Sequence, residues 1–342
     1  MKKYKICKIL LVILAIFLCV AFYELLGICV AYKKQPEVSN TTKKETKNGS
    51  WNECSENTER AVIIEKNPEA LLQRVRLIKN AKKEIILSTF AFQSDESGKL
   101  ILGALHDAAD RGVHIRLLVD GMESWIDMEG NPYFYGLSSH ENVEIKLYNK
   151  ANPLKPWKMM GRMHDKYLIA DGKRYILGGR NTYNYFLGDF PGHKNYDRDV
   201  LVVCDEPEKE NSVNQLLEYF ETIWEQEDSG YFHDNKKLAN RKSVKNAVLE
   251  LQNGYQKYFE ENKERICDTD YTDETFETEK IALVSNPIHT GSKEPVVWYQ
   301  LGELMKNAKN RVKIHTPYII CNDMMYNTWE EIAENVSDFS IM

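Results

Sequence analysis

Two stretches far apart in this 342-residue chain repeat one another. Residues 77–92 read LIKNAKKEIILSTFAF and residues 304–319 read LMKNAKNRVKIHTPYI, with six of sixteen positions identical in an ungapped alignment at an offset of 227. Each runs from an amphipathic helix end into a strand, and a second helical stretch follows each strand, 99–111 in one copy and 324–335 in the other. The last residues, 338–342 (DFSIM), fall where the strand from Val113 begins in the first copy. A repeated helix–strand–helix–strand unit confines the chain to α/β architectures whose parallel strands are joined by crossover helices. The chain thus reads as one complete unit and the beginning of a second.

The first unit follows this alternation. A helix starts at Asn67-Pro68, with proline in the first turn, and leads to a strand over 84–92. A helix over 99–111 is closed by Gly112, and strands follow over 113–120 and 142–148. The loop around Pro153 and Pro156 carries Trp157, Met159 and Met160, which fit a packed core and an apolar substrate entrance equally well. Residues 197–204 (DRDVLVVC) form a strand. Residues 211–227 form an amphipathic helix with Val213, Leu216, Phe220, Ile223 and Trp224 on one stripe. Residues 228–279 are polar and charge-rich, with helix character over 243–259, and are expected to form a surface connector.

Ahead of this lies a basic start with Lys2, Lys3, Lys5 and Lys8, then an apolar run over 9–32 broken only by Glu24. That run is long enough to cross a hydrocarbon layer of ~30 Å as a helix. It exceeds the usual core of a signal peptide, and its small-x-small pairs are poor cleavage sites, so an uncleaved anchor is expected. The lysine-rich tail favours a cytoplasmic N-terminus and a globular part outside, against which Lys33, Lys34, Lys43 and Lys44 pull. Residues 35–60, rich in Ser, Thr, Asn and Lys, are expected to be a flexible tether. A formal net charge of −6 argues against a broad nucleic-acid-binding surface. The seven cysteines show no CxxC or Cys/His ligand spacing, so no zinc site and no cofactor are expected. If the globular part is outside, a disulfide such as Cys54–Cys267 is open, with connectivity unassigned.

Chemistry concentrates in residues 161–184, GRMHDKYLIADGKRYILGGRNTYN. On a strand, His164 and Lys166 share a face, and the fixed positive charge disfavours protonation of the imidazole. A neutral imidazole can attack phosphorus and divide a difficult displacement into two steps. A lysine can neutralise non-bridging oxygens as charge builds, and the Asp171 carboxylate can hold an imidazole tautomer. Asn181 and the Gly178-Gly179 backbone can donate to phosphate. A general acid for the leaving alkoxide is not evident in this set.

The spacing HxK, four residues, D, six residues, GGxN resembles the HKD signature of the phospholipase D superfamily. It is matched at His164, Lys166, Asp171, Gly178, Gly179 and Asn181. The segments GALHDAADRGVHIRLLVDG, GGRNTYNYF followed by DRDVLVV, and VKIHTPYII resemble the bacterial cardiolipin synthase branch. The resemblance implies a pseudo-twofold α/β/α sandwich in which two such motifs meet, one histidine being the nucleophile and the other the general acid. It also implies transfer of a phosphatidyl group between phospholipids, with the membrane and a phospholipid as partners. The sequence holds one motif, so three readings stay open: truncation before a second motif, completion by a separately encoded second half, or self-association of two copies. The first is preferred. A dimeric single-motif phosphodiesterase or nuclease and a non-catalytic membrane protein remain the alternatives. The expected division is an anchor (1–34), a polar linker (35–60), a first phospholipase D-like unit (61–230), a polar connector (231–279) and the beginning of a second unit (280–342).

Overall fold

The computed structural model describes residues 2–49, 59–204, 206, 211–233, 235–316 and 318–342. Helix α1 (Lys2–Ala31) is followed by α2 (Asn40–Asn48), β1 (Glu59–Ile64), α3 (Asn67–Asn80), β2 (Glu84–Thr89), α4 (Glu96–Asp110) and β3 (His114–Asp120). Then come α5 (Gly121–Asp127), α6 (Pro132–Ser138), β4 (Val143–Tyr148), β5 (Lys166–Ala170), β6 (Arg174–Gly178), β7 (Asp199–Cys204), α7 (Ser212–Trp224) and β8 (Ser229–Tyr231). The remainder holds α8 (Lys242–Glu261), α9 (Lys263–Cys267), β9 (Phe276–Glu277), α10 (Val296–Lys306), β10 (Arg311–Ile314), α11 (Asp323–Asn335) and β11 (Asp338–Ile341).

Nine strands form one mixed sheet in the order β8-β4-β3-β2-β5-β6-β7-β1-β9. Strands β2, β3 and β4 are parallel, as their crossover helices demand, and the other pairings are antiparallel. Side chains alternate between the two faces. Ile85, Leu87, Ile115, Leu117 and Leu168 enter a core built with α3, α4, α6 and α8. Ile86, Leu118, Tyr167 and Ile169 enter a second core closed by α7 through Val213, Leu216, Phe220 and Trp224. The result is an α/β/α sandwich, and the strands are apolar on both faces because both are covered.

The expected connector is instead part of this sandwich. Val244, Ala247, Leu251, Tyr255 and Phe259 of α8 are buried on one stripe, and Phe232, Leu238, Ile266 and Tyr271 join the same core. High charge on the outer face of the helix hides this spacing in a reading by composition. The expected flexible tether also contains structure. Helix α2 is capped by the Ser39 side chain, which accepts from Thr42 N–H, and is closed by Gly49 at φ 74°. Residues 50–58, and Cys54 with its expected disulfide, lie outside the described residues.

The repeat is visible as architecture. Helix α10, β10, α11 and β11 follow the order of α3, β2, α4 and β3. Strand β10 starts 227 residues after β2 (311 − 84) and α11 starts 227 after α4 (323 − 96). Strands β10 and β11 pair in parallel, as β2 and β3 do, over a small core of Val312, Ile332 and Val336. Within α1, Lys5–Ala31 has a mean hydropathy of 2.9, long and apolar enough to cross a membrane.

Candidate active site

Parallel strands β2, β3 and β4 end at Thr89, Asp120 and Tyr148 on one edge of the sheet, the edge at which open α/β sheets bind ligands. Strand β5 runs the other way, so its first residue, Lys166, lies opposite Thr89, while β6 ends there with Gly178. A cavity of about 380 Å³ opens at this edge, with His164, Lys166 and Gly178 in its wall.

His164 precedes β5 rather than lying within it. Its ring is exposed on one side and packs edge-on against Phe90, with centroids 4.7 Å apart. Lys166 is 6 % exposed; its Nζ donates to the His164 carbonyl at 2.6 Å and lies 5.3 Å from the Phe90 ring centre. Desolvation in the concavity, and then the Lys166 charge, lower the pKa of His164. Burial pushes Lys166 down to about 8, opposed by the carboxylates of Asp165 and Asp197. A neutral imidazole therefore stands beside an ammonium held in place by packing, a pair suited chemically to nucleophilic attack on a phosphodiester.

Asp171 is not part of this pair. It sits one residue beyond the far end of β5, at φ 54°. Its carboxylate accepts from the backbone N–H groups of Lys82, Lys83 and Glu84 at 2.7–3.1 Å. The expected tautomer-holding role is corrected: an aspartate seven residues after His164, across a whole strand, reaches only the turn leading into β2. The glycine pair answers to packing. A Cβ on Gly178 would lie 2.1 Å from Asp199 Oδ1, and one on Gly179 would lie 2.1 Å from Asp197 Oδ2. Gly178 lines the cavity; Gly179 and Asn181 do not. The Asn181 Oδ1 accepts from Ala91 N–H at 3.2 Å, tying the segment after β6 to the segment after β2. Asp199 is enclosed by Arg74 at 3.0 Å and Arg180 at 3.3 Å, all three buried.

The cavity also draws on residues that the sequence reading did not single out. Arg162 pairs with Asp120, and Asp165 accepts from the Tyr219 hydroxyl at 2.7 Å. Tyr148 ends β4 at 1 % exposure. Lys293 arrives from residues 283–297, the segment that leads into the first turn of α10 and covers the cavity. Arg162 stands two residues before His164 and was within reach of a closer reading. Nothing local marks Lys293, whose place depends on a contact across more than a hundred residues. Four other histidines lie outside the cavity wall: His106 pairs with Asp110, His114 with Glu84 and Glu144, His193 packs on Tyr185, and His315 lies 3.5 Å from Arg198. Among the described residues, no group of three or more His, Cys, Asp or Glu is placed to hold a metal ion.

The apolar loop ahead of the site lies against α1. Gly27 allows the approach, since a Cβ there would meet Pro156 at 2.5 Å, and the Tyr23 hydroxyl donates to the Leu154 carbonyl at 3.0 Å. Leu154, Trp157 and Met160 are exposed.

Residues 74–224 match the family described as "Cardiolipin synthase, PLD-like domain". An uncharacterized protein of Helicobacter pylori (strain ATCC 700392 / 26695) is 29% identical over 310 residues, covering 82% of this chain and 58% of its own length. Cardiolipin synthase C of Escherichia coli K12 is 29% identical over 171 residues, 46% of this chain and 34% of its own length. The chain thus spans little more than half, or a third, of these relatives. The crystal structure of phosphatidylserine synthase from Haemophilus influenzae Rd KW20 superposes over 88% of this chain and 66% of that one, with a TM-score of 0.56 and 16% identity, a likeness of fold. The match over residues 74–224 identifies that stretch as a PLD-like domain of the cardiolipin synthase kind, and cardiolipin synthases are among the proteins to which the chain is similar.

Proposed function

We propose that this chain is a membrane-anchored phosphatidyltransferase or phosphodiesterase of the phospholipase D type, similar to cardiolipin synthases and acting on phospholipid phosphodiesters. The observation that carries the reading is the neutral imidazole of His164 beside the buried ammonium of Lys166, at the carboxyl edge of the parallel strands. An imidazole nitrogen attacks phosphorus, the P–O bond to the leaving alcohol breaks, and a proton reaches the departing oxygen. An acceptor hydroxyl then attacks the phospho-histidine, gives up its proton and releases the imidazole. Lys166 offsets the negative charge on the non-bridging oxygens through both steps. The proton donor is assigned to a second histidine, brought by a second copy or by a further segment, as the family resemblance implies.

Anchoring is supported by the apolar span Lys5–Ala31 and by the exposed Leu154, Trp157 and Met160 beside it. The lysines before the span favour an extracytoplasmic globular part. The first unit extends through α8 and α9, and the second begins near residue 280.

The test uses full-length protein in lipid–detergent micelles with headgroup- and acyl-labelled phosphatidylglycerol. A phosphatidyl-protein adduct that carries the acyl label without the headgroup label, and is labile to acid, is expected in wild type and absent in His164→Ala, together with loss of cardiolipin or phosphatidic acid formation. An adduct or turnover that survives the substitution refutes the role of His164.

A further inference from the structure

We propose that the cavity beside His164 contains a second anion subsite, in which Lys293 and Arg162 hold the phosphate of the acceptor lipid and the Tyr148 hydroxyl meets the polyol between the two phosphates. This assignment rests on the phosphatidyltransferase reading and extends it to the choice of acceptor. A phosphodiester under attack carries one negative charge, which Lys166 offsets. Two further basic side chains line the same cavity: Arg162, which Asp120 already pairs, and Lys293, which no ion pair neutralises among the described residues. Positive charge therefore remains beyond what one phosphoryl group needs.

Lys293 is half-buried and makes no hydrogen bond or ion pair among the described residues. The carboxylate that faces it, Asp165, already accepts from Tyr219 at 2.7 Å. Arg162 gives Nη2 to Asp120, while its Nη1 is buried and has no hydrogen-bond partner. The Tyr148 hydroxyl is likewise buried and unpartnered. Buried donors are paired in folded proteins with few exceptions. Two unpaired donors and a partnerless ammonium around one void therefore describe a place shaped for a polar, anionic ligand. The void of about 380 Å³ is of ligand-site size. Because Lys293 belongs to residues 283–297, the acceptor subsite is built by the approach to the second unit, and the nucleophile by the first.

The chemistry has a consequence for outcome. A phosphatidyl-histidine can pass its group to water, to a neutral alcohol or to a phospholipid hydroxyl, and a fixed second anion site favours the last. The test titrates full-length protein in detergent micelles with glycerol 1,3-bisphosphate and with glycerol 1-phosphate by calorimetry. Wild type is expected to prefer the bisphosphate by about tenfold, the worth of one charge-assisted contact. Lys293→Gln should erase that preference, and Tyr148→Phe, which keeps the ring and so the packing, should weaken bisphosphate binding several-fold. In turnover, Lys293→Gln should shift product from phosphatidylglycerol acceptor toward ethanol or water by about tenfold. Equal affinity of wild type for the two ligands, or a preference that persists in Lys293→Gln, overturns the subsite. The two ideas fail separately: absence of a His164-dependent adduct removes the transferase reading while leaving a Lys293-dependent bisphosphate preference measurable.

Discussion

Desolvation and the neighbouring Lys166 both act against the imidazolium of His164, so its ring, the proposed nucleophile, stays neutral to lower pH than a free histidine does. Lys166 fails in the opposite direction, since its pKa of about 8 lets the ammonium go neutral at mildly alkaline pH. With a soluble aryl phosphodiester, whose leaving group needs no proton, kcat/KM should rise as His164 deprotonates below the ordinary histidine range and fall as pH passes about 8. Lys166→Arg should remove the alkaline fall while lowering the plateau; a limb near pH 8 that persists in this variant would show that another group titrates there. Asp171 makes the contrasting case. Its carboxylate serves three backbone N–H groups far from the cavity, so Asp171→Ala should cost about 2–3 kcal/mol in urea unfolding while the folded fraction keeps its adduct-forming rate. The residue types and spacing of the motif were legible in the sequence, but which members face substrate was not. That depends on strand direction, and β5 carries His164 and Asp171 to opposite edges of the sheet.

Helix α8 shows the same limit at the scale of an element. Its buried positions recur every three or four residues, a signal present in the sequence, yet the charged face dominated a reading by composition. The helix packs closely on α4, where a Cβ at Gly103 would lie 2.7 Å from both the Leu251 carbonyl oxygen and the Tyr255 Cβ. Leu251→Ala should therefore destabilise the sandwich by about 2–5 kcal/mol, read as a lower urea midpoint at unchanged m-value. A change below about 0.5 kcal/mol would return α8 to the role of a detached connector. The strands and helices of the repeat were easier to read, because each carries its own periodicity and its own stop: α3 opens on Pro68, and Gly112 turns the chain at φ 87° after α4.

In the whole molecule, the covering segment and the apolar helix are joined. The Tyr32 hydroxyl donates to the Thr290 carbonyl, Ser292 Oγ donates to the Ala31 carbonyl at 3.1 Å, and Glu294 accepts from Ser39 N–H at 2.8 Å. None of these contacts has a local signature; each pairs residues more than 250 positions apart. Twenty-seven residues, Lys5–Ala31, span about 40 Å as a helix, against ~30 Å of hydrocarbon. If α1 anchors the chain in a bilayer, as proposed, it has to lean, and the lean varies with the bilayer. Its last turn is the lever arm, and residues 290–294, bearing Lys293, are the load. Bilayer thickness then becomes a mechanical input to acceptor choice. At constant headgroup composition, lengthening the acyl chains of the host vesicles should change the ratio of transfer to hydrolysis, and Lys293→Gln should flatten that dependence.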